Sequence, residues 1–169
     1  KAGIITYFVD ALKAVLAAVI VHFIFGKNSD YEMLLFLYSG LGVVLGHNFP
    51  FYLKFKGGKG IAASSGVVLS LLLFPKNCWV LSVLGLLTFA GVTYISKYVS
   101  LGSLVFIGLF FVEMVIYGIC GWLPLTGSSL YEGLVITFII TALAFIRHHG
   151  NIQRLINGTE RKIGQHKNN

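Results

Sequence analysis

Residues 47 to 60 bring three lysines, three glycines and a histidine into a chain that is otherwise nearly continuous hydrocarbon. Lys54, Lys56 and Lys59 flank or interrupt Gly57, Gly58 and Gly60. Backbone N–H groups cleared of side chains turn towards one point while ammonium groups converge on it, which is how an anion, most often phosphate, is held. A short basic loop between membrane helices also serves simply to fix topology. Glycine on both sides of Lys59 favours the anion site, because topology needs charge but not a cleared backbone. The spacing excludes a Walker loop, since Leu53 and Gly60 stand where a glycine and a Ser/Thr are required. The dinucleotide fingerprint is met only loosely, by Gly58, Gly60 and Ala63, with no strand before them.

A second polar constellation lies in RHHGNIQRLINGTERKIGQ, residues 147 to 165. His148 and Asn151 are three apart, so one helical turn puts them on one face. A basic juxtamembrane tail is commonly a headgroup anchor, but adjacent histidines beside an Asn-Ile pair carry groups that both donate and accept. Asp10 and Lys13 also share a helix face, and a structural ion pair competes evenly with a part in the site. Glu113 sits mid-span without an obvious partner and is given no function; His22 is expected at a membrane interface.

The elements that must position these residues follow from composition. In 169 residues, 56% are hydrophobic and 11% charged, with a mean hydropathy of +0.83, more apolar surface than a soluble core of this size can bury. The expectation is an all-α polytopic membrane bundle forming a single domain over residues 1–169. A net charge of +7 would suggest nucleic acid for a soluble domain; here it marks cytoplasmic loops and anionic headgroups, and no nucleic acid partner is expected. Apolar runs fall at about 4–25, 33–49, 60–74, 78–96, 101–122 and 130–147, predicting six membrane helices. They are divided by residues 27–30, the glycine-lysine loop, residues 75–77, Ser96-Lys97 and residues 124–129. Runs two and three fall short of the ~20 residues of a full span, so the loop between them is placed dipping into the membrane.

Alternation of six helices puts Lys1, the three loop lysines, Lys97, Arg147, Arg154, Arg161, Lys162 and Lys167 on one side and only Lys27 and Lys76 on the other. The basic side is cytoplasmic, and the glycine loop, the 96–100 connection and the tail share it. Cys78 and Cys120 are read as reduced packing residues near the outer helix ends, with neither a disulfide framework nor a metal site.

These residues resemble the bacterial acyl-phosphate:glycerol-3-phosphate acyltransferases, integral enzymes of phospholipid synthesis. The resemblance covers essentially the whole chain. The family's GHxFPxxxxFKGGKGVAT motif is answered by Gly46, His47, Phe49, Pro50, Phe55, Lys56, Gly57, Gly58, Lys59 and Gly60. Its RHxxNIxRL motif, followed by a glutamate and KI, is answered by Arg147, His148, Asn151, Ile152, Arg154, Leu155, Glu160, Lys162 and Ile163. A DxxKG element matches at Asp10 and Lys13, and a serine-containing connection at Ser100 and Ser103. Ala14 and Ala63 stand where the family has glycine and threonine. The family's first motif and one further helix would precede residue 1, so the chain is expected to be N-terminally truncated, with six of seven helices present.

The resemblance implies transfer of a fatty acyl group from acyl phosphate to the 1-hydroxyl of glycerol 3-phosphate, giving lysophosphatidic acid and phosphate at the cytoplasmic face of the bacterial inner membrane. It implies catalytic roles for Lys59, His148 and Asn151. Substrate contacts go to His47, Lys56, Gly57, Gly58, Gly60 and Ser100, and bracing roles to Asp10, Lys13 and Glu160. No cofactor, metal or obligate protein partner is implied; the partners are the two substrates and the bilayer. The alternative from another class is a membrane transporter or channel for a small phosphorylated anion, which uses similar basic, glycine-rich helix breaks. No inverted repeat supports it.

Overall fold

The computed structural model describes residues 2–26, 31–73 and 78–165. Its helices are α1 (Ala2–Val21, continued by a π-helical turn His22–Gly26), α2 (Glu32–Asn48), α3 (Ile61–Ser70), α4 (Trp79–Ser96), α5 (Val99–Ile119), α6 (Gly127–Arg147) and α7 (His149–Ile156). A 3₁₀ turn, Phe51–Leu53, prolongs α2. The predicted breaks at 27–30 and 75–77 lie outside the described residues, as do Lys1 and Lys167.

The fold is the all-helical membrane bundle expected from composition, but its spans divide differently. Among the described residues, five segments are long and apolar enough to cross a bilayer: Ile5–Phe25, Glu32–Leu53, Trp79–Ser96, Val99–Ile119 and Gly127–Arg147. The run at 60–74 yields only the ten-residue α3, about 15 Å at 1.5 Å per residue, half of a ~30 Å hydrocarbon core. Gly60 takes the start of that run for a left-handed turn. At its far end Leu71, Leu72 and Leu73 switch to tighter bonds onto Val68, Leu69 and Ser70, which rise further per residue than an α-helix does.

Helix faces follow the logic of a bilayer solvent. On α1 the small residues Ala11, Ala14 and Ala18 face inward, whereas Phe8, Leu12, Leu16 and Ile20 are all more than half exposed. Lipid accepts the large side chains, and the small ones let α3 approach closely. At Gly66 of α3 even a Cβ would collide with the Ala11 carbonyl. Ala14, where the related motif has glycine, is tucked into this same inward face. Met33, Leu37, Leu71, Leu81, Ile107, Phe110, Met114 and Ile140 fill the centre of the bundle.

The two ends of the bundle differ in chemistry. At one end His22 pairs with Glu32 at 2.5 Å, Tyr38 donates to Glu132, and a Thr126–Ser129 capping box starts α6. Cys78 lies at this end too: burial and then the Glu32 carboxylate raise its thiol pKa to about 11. Cys78 is buried, but Cys120 is exposed, so only the first is a packing residue. At the other end the glycine loop, the α4–α5 connection and the tail meet. The Ile163 N–H bonds to the Lys97 carbonyl at 2.8 Å, joining tail to connection, and Arg147 joins the end of α6 to the loop.

Candidate active site

The loop is held by bonds that point inward. Pro50 opens the 3₁₀ turn, and Lys54 and Phe55 both take left-handed backbone angles, φ 51° and 61°. The chain thereby doubles back beneath α2. The N–H of Gly57 then bonds to Asn48 O and that of Gly58 to His47 O, both at 3.2 Å. Their carbonyls are taken by Arg147, whose Nη2 donates to Gly57 O at 2.6 Å and Nε to Gly58 O at 3.0 Å. Every backbone polar group of the Gly57-Gly58 pair is therefore engaged, which differs from the expectation that their N–H groups cradle an anion. These glycines are needed for closeness instead. A Cβ at Gly57 would strike the His47 and Asn48 carbonyls, and one at Gly58 the His47 ring.

The anion-binding geometry sits two residues further on. Gly60, at φ 83°, turns the chain into α3 with no side chain capping the helix. The first N–H to find an intrahelical partner is that of Ser64, on Gly60 O, so the amides of the first turn face outward with the helix dipole behind them. Lys59 stands beside this turn. Its Nζ donates to Asn151 Oδ1 at 2.7 Å. Partial burial, with the Arg154 charge adding to it and Glu160 opposing, lowers its pKa from the ordinary lysine value. All three loop lysines are exposed, but Lys54 and Lys56 are not among the cleft-lining side chains. Of the three lysines expected to converge, Lys59 alone contributes to the cleft wall.

The wall opposite is the tail. Asn151, 7% exposed, receives Lys59 on Oδ1 and donates through Nδ2 to Glu160 Oε1 at 2.6 Å. Glu160 Oε2 in turn accepts from Arg154 Nε at 2.6 Å. Burial pushes the Glu160 carboxyl up, but the neighbouring Ser100, Asn151 and Arg154 outweigh it and hold it below the usual carboxylate range. Ser100 faces Glu160 closely enough to contribute, yet its hydroxyl completes no hydrogen bond of normal geometry. It is a buried donor at the cleft wall, and an unmet buried hydroxyl costs about 1–3 kcal/mol.

His148 is 3% exposed. Its Nδ1 lies 2.7 Å from Ala144 O. A carbonyl only accepts, so the ring proton is on Nδ1 and the neutral ring keeps a lone pair on Nε2. Burial lowers the His148 pKa; the Ala144 bond opposes this, and the Lys59 charge reinforces it. The neutral, accepting ring is thus the form favoured at neutral pH.

These groups surround one open cleft of about 390 Å³, lined by Tyr7, His47, Lys59, Gly60, Ile61, Ala62, Phe89, Val99, Ser100, Ser103, His148, Asn151, Glu160 and Arg161. A small, mostly apolar void of about 20 Å³ adjoins it between α1, α3, α4 and α5, sharing Tyr7, Ile61 and Phe89 and adding Ser65, Val68, Leu69, Gly85, Leu86 and Phe106. Asp10 and Lys13 pair at 2.7 Å, as ion-pair spacing suggested, and they also reach His47. Arg147 and Tyr7 were not singled out by sequence. Arg147 counted only as a topology charge and a motif match, although its place beside His148 was the available signal; nothing in the sequence pointed to Tyr7.

A family model described as glycerol-3-phosphate acyltransferase matches residues 1–158. This chain belongs to that family. A glycerol-3-phosphate acyltransferase of Clostridioides difficile (strain 630) is 38% identical over 167 residues, 99% of this chain and 74% of the relative. One from Thermoanaerobacter sp. (strain X514) is 37% identical over 168 residues, 98% and 72% of the two chains. Among solved structures, PlsY (YgiH), an integral membrane glycerol 3-phosphate acyltransferase crystallised in a glycerol 3-phosphate form, superposes with a TM-score of 0.77 at 30% identity. That match covers 97% of this chain and 72% of PlsY. A PlsY structure in a lysophosphatidic acid form gives a TM-score of 0.75. Membership makes the chain a membrane-integral acyltransferase, and the transporter alternative loses its ground.

Proposed function

We propose that the protein transfers a fatty acyl group from acyl phosphate to the 1-hydroxyl of glycerol 3-phosphate, giving lysophosphatidic acid and inorganic phosphate. The observation that carries this reading is one open cleft of about 390 Å³ on which Lys59, Gly60, Ser100, His148 and Asn151 meet the apolar side chains of Ile61, Phe89 and Val99. The polar groups suit a phosphoryl group, and the apolar side chains beside them suit the start of an alkyl chain arriving from the membrane. Both substrates carry phosphate, and PlsY has been crystallised in glycerol 3-phosphate and lysophosphatidic acid forms.

In this mechanism the first-turn amides of α3 with Gly60 and Lys59 hold phosphoryl oxygens and offset charge that grows on them. Asn151 holds Lys59 in place, and Glu160 and Arg154 hold Asn151. His148 Nε2 accepts the hydrogen bond of the attacking hydroxyl and takes its proton as the ester C–O bond forms. The acyl C–O bond to phosphate breaks, and the proton ends on the departing phosphate, so His148 is neutral again after each turnover. Acyl phosphate is a mixed anhydride with a good leaving group, so orientation and charge neutralisation supply most of what catalysis requires. Ser100 donates to a bound oxygen, which accounts for its unmet hydroxyl. The basic excess around the glycine loop supports a cytoplasmic position for this end of the bundle, at the inner membrane of a bacterium.

The test is phosphate release from palmitoyl phosphate by the purified protein with and without glycerol 3-phosphate. Release that depends on the acceptor, with lysophosphatidic acid formed in equal amount, is the expected result. Release indifferent to the acceptor refutes the transferase mechanism. Cysteine placed at Lys59 should resist membrane-impermeant labelling from outside intact cells; labelling there reverses the orientation.

A further inference from the structure

Lys13 Nζ lies 2.7 Å from Asp10 Oδ1 and 2.9 Å from His47 Nδ1. An ammonium has three N–H donors and no lone pair, so the ring nitrogen it meets must accept. Asp10 Oδ1 is also 3.2 Å from that nitrogen, but it takes the shorter bond from Lys13. The single proton of the neutral His47 ring is therefore on Nε2. That atom abuts Gly58, where an added Cβ would collide with it, and the His47 ring forms part of the cleft wall. His148, on the same cleft, is fixed the opposite way by Ala144.

We propose that Lys13 is a positioning residue for catalysis: it fixes His47 as an Nε2–H donor to a phosphoryl oxygen held beside the glycine loop. The cleft then presents one donating and one accepting histidine to the two ends of the reaction, the first to the phosphoryl group and the second to the attacking hydroxyl. Asp10 alone would do the reverse. Without Lys13 it would draw the ring proton to Nδ1, and His47 would turn a lone pair towards an anion. The pair also explains how a lysine is tolerated in a span, where an unpaired charge is costly. A purely structural pair has no need of the third contact, to His47. The identity of the ligand, though not the ring's polarity, rests on the proposed acyl transfer.

The experiment is ring ¹⁵N–¹H correlation of the histidine-labelled full chain in detergent, with His47 assigned by His47→Gln. Wild type and Lys13→Arg should show Nδ1 as the bare nitrogen, while Lys13→Met should exchange the two patterns. Lys13→Met should also raise KM for glycerol 3-phosphate at least tenfold. In a His47→Gln background, whose amide keeps an N–H donor without a tautomer, the same change should cost less than threefold. A protonated Nδ1 or an imidazolium in wild type overturns the inference, as does an equal loss in both backgrounds. Because the spectra need no turnover, expected tautomers without acyl transfer support the polarity of His47 while overturning the reaction.

Discussion

Replacing Arg147 by methionine keeps the length and apolar stem of the side chain and removes both bonds to the glycine loop. Those bonds, to Gly57 O at 2.6 Å and Gly58 O at 3.0 Å, come from a charged donor, for which about 1.5–3 kcal/mol each is typical. Arg147 is half-buried, so water recovers part of the loss at each freed carbonyl. The remainder, about 2–3 kcal/mol, corresponds to roughly 30- to 150-fold in kcat/KM at 1.4 kcal/mol per tenfold. The loss should fall mainly on KM for glycerol 3-phosphate, because Arg147 sets the shape of the loop that leads into Gly60 and touches no reacting atom. Lys in its place restores one of the two bonds and should land between. Acyl transfer by detergent-purified variants, with thermal unfolding run alongside, measures both quantities. A well-folded Arg147→Met protein within threefold of wild type refutes the clamp.

The proposed mechanism needs neutral His148, whose pKa is lowered from 6.5 by burial; kcat/KM should therefore lose half its value only at a pH below 6.5, and His148→Gln should lose that acidic limb. Glu160, whose carboxyl is held below 4.5, contributes stability that is fully present above that pH and is lost as pH falls through its lower folded value; acid unfolding of Glu160→Gln should lack this component. Ser100→Ala removes a buried hydroxyl without a hydrogen-bond partner, so thermal stability should hold or rise slightly while glycerol 3-phosphate affinity drops several-fold. Gly66→Ala drives a Cβ into the Ala11 backbone and should cost about 1–3 kcal/mol by overpacking, read as a lower unfolding temperature, whereas Gly42→Ala, which meets open space, should not.

The helices were legible because each apolar run ends in charge, proline or glycine, signals that act through local backbone chemistry. The meeting of loop, connection and tail was legible too, since alternation of spans leaves those three segments on one side. The direction of the loop amides was not. Gly57 and Gly58 look alike whether their N–H groups face a ligand or the carbonyls of His47 and Asn48, and the choice is made by Arg147, ninety residues away from Gly57. Lys56 shows the same limit: it lies off the cleft that Lys59 lines, and what stands between the two is the Gly57-Gly58 pair clamped by Arg147. The shortness of α3 was half visible, in the length of its run but not in the tightening at Leu71 to Leu73.

The order of synthesis gives the tail latch a further meaning. Asn151, Glu160 and Ile163, which steady Lys59 and tie down the α4–α5 connection, leave the ribosome after every span described above. Until Asn151 and Glu160 follow the last of those spans into place, Lys59 lacks the side chains that brace it at the cleft.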